Sequence, residues 1–308
     1  MIDFVPKALR IALLALLPAL AAGCAADPPR AAAAAAAPAP KSAAIIHRYS
    51  APAEGIFANA YLVEGEGGLI AVDATLRNSD ARTFLAQVER LKKPLLAIVV
   101  THGHPDHYNG LTTLVAGREI PIYSTRAVAE VMRRDDAAKE AQWKPMFGEE
   151  WPERRTFPNH LVESGEKIEI GGIELTCLAI GPAESHQDSV WVLTSRERRH
   201  AFVGDLVFNE MHSYLSDAHT GEWLRALDRL EQQFPDALLY PGHGEPGGPA
   251  LIAAQRRYLT LYRDTVQRLR EGNPALSDAA KASLVAAMKQ HLNTERLEFL
   301  ISLGADGV

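Results

Sequence analysis

The chain has 308 residues, a formal net charge of −6, and 47% hydrophobic and 23% charged residues, ordinary proportions for a globular protein. It carries no basic run, which argues against a nucleic-acid partner. With two cysteines in all, the fold must stand without a disulfide framework.

Residues 1–23 read as a secretory signal. Lys7 and Arg10 give the positive start, and Ile11 to Leu17 form an apolar stretch too short to stay in a bilayer as a helix. The stretch ends Leu20-Ala21-Ala22-Gly23-Cys24. Small residues directly before a Cys resemble the lipobox of bacterial lipoproteins, in which the Cys becomes the lipidated first residue. The alternative is a plain signal peptide cut at an A-x-A site. Cys24 has little other use in this chain, so the lipoprotein reading is preferred. It implies export, a place on the periplasmic face, and a membrane anchor through Cys24. Residues 24–43 are Ala and Pro with little else, an extended tether with nothing to contribute to a core. Residues 44–308 are enough for one large α/β domain, with a helical extension from about residue 248.

Short apolar runs at Ile45-Ile46, Phe57 to Val63 and Leu69 to Asp73 predict a first set of strands, punctuated by Gly65, Gly67 and Gly68. Asp73 ends the third run. It serves either to support a nearby group from behind or to cap the next helix. That helix runs from Asn78-Ser79-Asp80 to about Lys93, with Phe84, Leu85, Val88 and Leu91 on one face. Leu95 to Val100 then reads as a buried strand, and it delivers Thr101-His102-Gly103-His104-Pro105-Asp106-His107 to its C-terminal end. Three imidazoles and a carboxylate in six residues are the donors a transition metal takes. Four donors this close are too many for one ion, so the run predicts two adjacent metal positions.

The H-x-H-x-D-H run resembles the signature of the metallo-β-lactamase superfamily. The resemblance implies an αββα sandwich, two mixed β-sheets flanked by helices, with every ligand on a loop at one edge. It also implies that Asp73 supports the metal site from outside the ligand shell.

Further along, residues 108–117 predict a short helix, Ile120 to Tyr123 a strand, and residues 126–140 a helix. Residues 141–160, with Trp143, Phe147 and Trp151, predict a long aromatic loop. It either overhangs the metals, with Trp143 touching substrate, or packs on the surface. Ile168 to Ile170, the run around Cys177 and Val190 to Leu193 form a second set of strands, with Cys177 a buried thiol. Between the last two lies Gly181 to Ser189. A His in a Gly/Pro loop at a strand end suits a ligand, which selects His186. The superfamily usually has Gly-His here; Ser185 takes the Gly place, and Glu184 or Asp188 are the alternatives.

Asp205, among Val, Leu and Phe in residues 202–208, needs a partner, and a bridging position between two cations supplies one. His212 faces either substrate or the surface. A helix from Thr220, a strand Ala237 to Tyr240 and the turn Pro241-Gly242-His243-Gly244 follow. The P-G-H-G run also matches the family, where its His completes the second metal. The ligand sets implied are His102, His104 and His186 for one ion, and Asp106, His107 and His243 for the other, with Asp205 bridging. Zinc suits them; iron and manganese also fit mixed N/O donors. Two such ions ~3.5–4 Å apart activate a shared water, with Asp106 orienting it. That predicts hydrolysis of an ester, thioester, lactone or amide of small size. The competing readings are a β-lactamase, and a non-hydrolytic member such as an iron sulfur oxygenase or a metal-binding accessory protein. Asp205 counts against the β-lactamase, because the antibiotic-degrading subclass carries Cys at that place.

Overall fold

The computed structural model describes residues 44–195 and 198–308; the predicted signal segment, Cys24 and the predicted linker lie outside them. Each half of the described chain builds its own sheet. Strands β1 (Ile45–Ser50), β2 (Asn59–Glu64), β3 (Leu69–Val72), β4 (Leu95–Val99), β5 (Ile122–Thr125) and β6 (His160–Val162) form the first, in that spatial order. Strands β7 (Lys167–Ile170), β8 (Ile173–Gly181), β9 (Asp188–Thr194), β10 (Arg199–Phe208) and β11 (Leu238–His243) form the second, in the order β11-β10-β9-β8-β7. Both sheets are mixed: β3 to β6 run parallel, as do β10 and β11, and the other pairs are antiparallel.

Strand alternation sorts side chains into layers. In β3, Leu69 and Ala71 pack outward with Phe84 and Val88 of helix α1 (Asn78–Arg90), while Ile70 and Val72 face the second sheet. A strand covered on both faces has no polar side, which is why β3 and β4 read as continuous apolar runs. The layer between the sheets holds Tyr61, Val99, Cys177, Trp191 and Phe202. Trp191 is fully buried, and its indole N–H donates to Val100 O at 3.1 Å, tying one sheet to the other.

Outside the first sheet, after α1, come α2 (Pro105–Tyr108), α3 (Leu111–Val115) and α4 (Arg126–Phe147). Outside the second lie α5 (Thr220–Gln233), α6 (Ala250–Arg270), α7 (Asp278–Leu292) and α8 (Phe299–Leu303). The layers are therefore helix, sheet, sheet, helix, with added helices after β11. No helix among the described residues is long and apolar enough to cross a membrane.

One element departs from the sequence reading. Residues 141–147, expected as loop, continue α4 through Pro145, and the helix ends at Gly148 with φ 54°. Pro145 sits in the last turn, so the backbone bond it cannot donate is lost close to where the helix ends in any case. The extension carries Trp143 and Phe147 on rigid helix instead of a loop.

Candidate metal centre

Strands β3 and β4 both end at the site, and the backbone just past β3 is held under strain. Asp73, just past β3, sits at φ 61°, a conformation a non-glycine residue rarely adopts. Its carboxylate accepts from Thr101 N and Thr101 Oγ1, both at 2.8 Å, and lies 3.0 Å from His107 Nδ1. Asp73 thus fixes the start of the loop and the orientation of one imidazole. Pro105 then opens α2 at its first position, where a missing N–H costs nothing. Asp106 and His107 lie on that one-turn helix, not on a loop.

From the second sheet, the register of β10 against β11 breaks on both sides of Gly204. Such an irregularity re-aims side chains, and Asp205 points toward the imidazoles. Gly242 lets it lie there, since a Cβ at this position would fall 1.9 Å from Asp205 Oδ1. His243 ends β11 with its ring stacked on Phe208, the centroids 5.1 Å apart.

Two buried groups result. Asp106, His107, Asp205 and His243 converge in one. His107 Nε2 lies 3.4 Å from Asp106 Oδ2 and 3.3 Å from Asp205 Oδ1, and His243 Nε2 lies 3.1 Å from Asp106 Oδ2 and 3.3 Å from Asp205 Oδ2. His102, His104 and Glu184 form the other, with Glu184 Oε2 at 3.0 Å from His104 Nδ1 and 3.7 Å from His102 Nε2.

His186 is not in either group. Asp188 Oδ2 accepts from Ser185 N at 3.0 Å, and this turn buries Ala183, Glu184 and Ser185 while His186 swings out. Its Nδ1 meets His219 Nε2 at 2.7 Å, and its side chain is 37% exposed. The structure therefore corrects the preference for His186 over Glu184. Nearness to the strand end did not decide the matter; the direction of the turn did. His212 is corrected too: it is fully buried, with Nδ1 3.2 Å from Tyr258 Oη and Nε2 3.1 Å from Thr294 O, so it does not face the pocket. Trp143 does line the pocket over the centre.

Asp217 carries a role that the sequence reading missed. Its Oδ2 lies 3.0 Å from His104 Nε2, and its Oδ1 accepts from Lys139 Nζ and Tyr214 Oη, each at 3.2 Å. It holds His104 as Asp73 holds His107. Thr101 Oγ1, 3.0 Å from His102 Nδ1, does the same for the third imidazole. The one signal in the sequence was Lys139, a cation on the inner face of α4 that had to find a carboxylate.

The charge pattern is that of a site suited to cations. Burial pushes the Glu184 carboxyl up to about 8 and that of Asp188 up to about 7. Burial alone would also raise Asp106 and Asp205, yet His107 and His243 hold both well below the usual range. His243 in turn is lifted to about 9 against its burial, chiefly by Asp205. Burial and the neighbouring His107 keep His102 neutral. Close as these groups stand, His102 Nε2, His107 Nε2, both Glu184 oxygens and Asp205 Oδ1 make no well-aligned hydrogen bond among the described residues. Buried polar atoms are almost always paired. Orphaned lone pairs converging in two groups fit divalent cations, and imidazole with carboxylate is a donor set such ions take.

The family pattern described as Metallo-beta-lactamase superfamily matches residues 53–243, which run from before β2 to the last candidate ligand. The chain belongs to the metallo-beta-lactamase superfamily. It is similar to the metallo-beta-lactamase type 2 of Bacillus cereus, 23% identical over 204 residues, covering 65% of this chain and 72% of that protein. It is also similar to ribonuclease J of Sinorhizobium meliloti, 23% identical over 189 residues, covering 61% of this chain but only 26% of that one. Among solved structures, a beta-lactamase domain protein from Burkholderia ambifaria superposes with a TM-score of 0.60 at 20% identity, over 85% of this chain and 84% of the other. Relatives named for such different reactions share a fold, and a fold does not fix a substrate.

Proposed function

We propose that this chain is a metal-dependent hydrolase that cleaves an ester, thioester, lactone or amide. The observation that carries the reading is the pair of buried donor groups at the floor of a pocket, each with orphaned lone pairs. His102, His104 and Glu184 would hold one ion, and Asp106, His107, Asp205 and His243 the other; zinc is the first choice for both. Bound there, divalent cations supply Lewis acidity, polarising a carbonyl and making a water acidic enough to attack at neutral pH.

The chain's own groups do the rest. Asp73, Thr101 and Asp217 fix the imidazole rings, and such outer partners are commonly worth 10–100-fold in metal affinity. Asp106 lines the pocket. Its carboxylate accepts the proton of the attacking water as the new carbon–oxygen bond forms. The same proton goes to the leaving oxygen, sulfur or nitrogen as the old bond breaks. Phe208 and the apolar wall above it keep bulk water from the reacting carbonyl. In the cell, we place the protein on the periplasmic face, anchored by a lipidated Cys24. Its substrate is a small molecule.

A second reading rests on Glu184. Two imidazoles and one carboxylate form a donor set that also suits iron, and an iron-loaded first site would favour a non-hydrolytic oxygenase. Metal analysis of the purified protein, beside turnover of ester, lactone and β-lactam panels, separates the two. About two zinc per chain with ester or lactone turnover supports the hydrolase. Iron without hydrolysis of any panel member overturns it.

A further inference from the structure

The pocket over the centre is built to take uncharged, apolar material. Trp143 and Phe147 of α4 face it from one side, Phe299 and Leu300 of α8 from another, and Ile56 and Phe208 close the remainder. Trp143 and Phe299 meet edge to face, with centroids 6.5 Å apart. The same two helices also leave apolar side chains in water: Met146 on α4, and Phe299 and Leu303 on α8, are exposed at 62%, 36% and 42%. Large apolar side chains left in water beside a pocket mark a surface that a ligand covers.

The charged lining tells the same story by what it withholds. Lys139 is the one lysine or arginine among the lining residues. Its Nζ is committed to Asp217 and Tyr214, and its side chain is 11% exposed. The other ionisable lining groups, apart from Tyr214, are His104, Asp106, Glu184, Asp205 and His243, all in the two donor groups. A carboxylate or phosphate on the far end of a substrate would meet only apolar walls, with no free cation to compensate its desolvation. Helix α8 lies beyond residue 243, where the family pattern ends.

We propose that the substrates are uncharged esters or lactones bearing an apolar acyl group that enters between α4 and α8, with the carbonyl directed at the centre. This rests on the hydrolase reading for the reaction, but not for the binding. The test pairs turnover with binding. For p-nitrophenyl esters from two to ten carbons, kcat/KM should rise by about fourfold per added methylene until the pocket is filled. An ester of equal length ending in a carboxylate should fall at least tenfold below its uncharged partner. Phe299→Ala should flatten the chain-length profile; Phe299 is partly exposed, and circular dichroism establishes that the variant is folded. Independently of turnover, octanamide should change the tryptophan fluorescence in wild type and not in Trp143→Phe, and its analogue with a terminal carboxylate should bind at least tenfold more weakly.

A flat profile, or preference for the charged ester or amide, overturns the proposal. Octanamide binding at Trp143 without turnover of any ester, thioester, lactone or amide supports this pocket assignment while sinking the hydrolase reading.

Discussion

Replacing Glu184 by Gln separates its two effects by sign. The side chain is fully buried, and its Oε2 sits 3.0 Å from His104 Nδ1. In the metal-free protein the carboxylate is a burden, because burial and the nearby Asp205 and Asp188 push its pKa up to about 8. A neutral amide of the same shape should leave the metal-free fold as stable as before, or more so. With metal, the loss should exceed the 10–100-fold that outer partners commonly contribute, so a fall of at least ~100-fold in affinity for the first ion is expected. At fixed free zinc, that removes about 2.7 kcal/mol of metal-induced stabilisation. For a domain of this size it amounts to roughly 5–10 °C of the metal-induced rise in Tm. The assay is a chelator competition with zinc, beside melting curves with and without chelator, on Glu184→Gln and His186→Ala. His186→Ala should keep both metal equivalents, since its ring bonds to His219 instead. Two tightly held equivalents in Glu184→Gln, or loss of one in His186→Ala, would refute the assignment.

The other predictions address the supports. Gly242→Ala should cost the second metal equivalent, because the added Cβ would collide with Asp205 Oδ1 and approach His107 Cε1 to 2.7 Å; unchanged metal content would contradict this. Asp217→Asn should weaken the first site roughly 10–100-fold by freeing His104 and leaving Lys139 without its carboxylate, read by zinc competition. Metal-free protein should lose stability between pH 7 and pH 9. Over that range His243 (about 9) and Glu184 (about 8), with His104 and His107 also raised, keep protons that the unfolded chain has released, so the folded state binds more protons and stability falls as pH rises. His102, whose pKa is lowered, opposes this only near its unfolded value, below the window. Melting curves in chelator that rise across the window would show the sign to be wrong. Finally, Cys24→Ser should shift the protein from the membrane fraction to an unlipidated precursor, and unchanged fractionation would dismiss the anchor.

Strand positions were legible where the chain is buried on both faces: Leu95 to Val100 and Phe202 to Phe208 announce themselves as apolar runs, and each carries candidate ligands at or near its end. Loops were another matter. Residues 181–189 have no period, so whether Glu184 or His186 turned inward was set by hydrogen bonds within the turn, among them Ser185 N to Asp188 and Ala183 N to Ser185 O. His212 could not be placed from its own neighbourhood, because the groups that bury it, Tyr258 and Thr294, lie 46 and 82 residues away in sequence. Pro145 and the aromatic residues around it imitated a loop, although the helix absorbs the proline in its last turn. Asp217 stands in an aperiodic stretch between β10 and α5, with nothing local to mark it.

The strand order has a mechanical corollary. Each sheet is one unbroken stretch of chain, and the turn between Val162 and Lys167 is the covalent hinge that joins them. The first group of donors takes two imidazoles from one stretch and Glu184 from the other; the second takes Asp106 and His107 from one, Asp205 and His243 from the other. Each ion would then act as a rivet through two plates. Severing the hinge should leave two fragments whose reassembly follows free zinc, turning a candidate reaction centre into a measurable clasp.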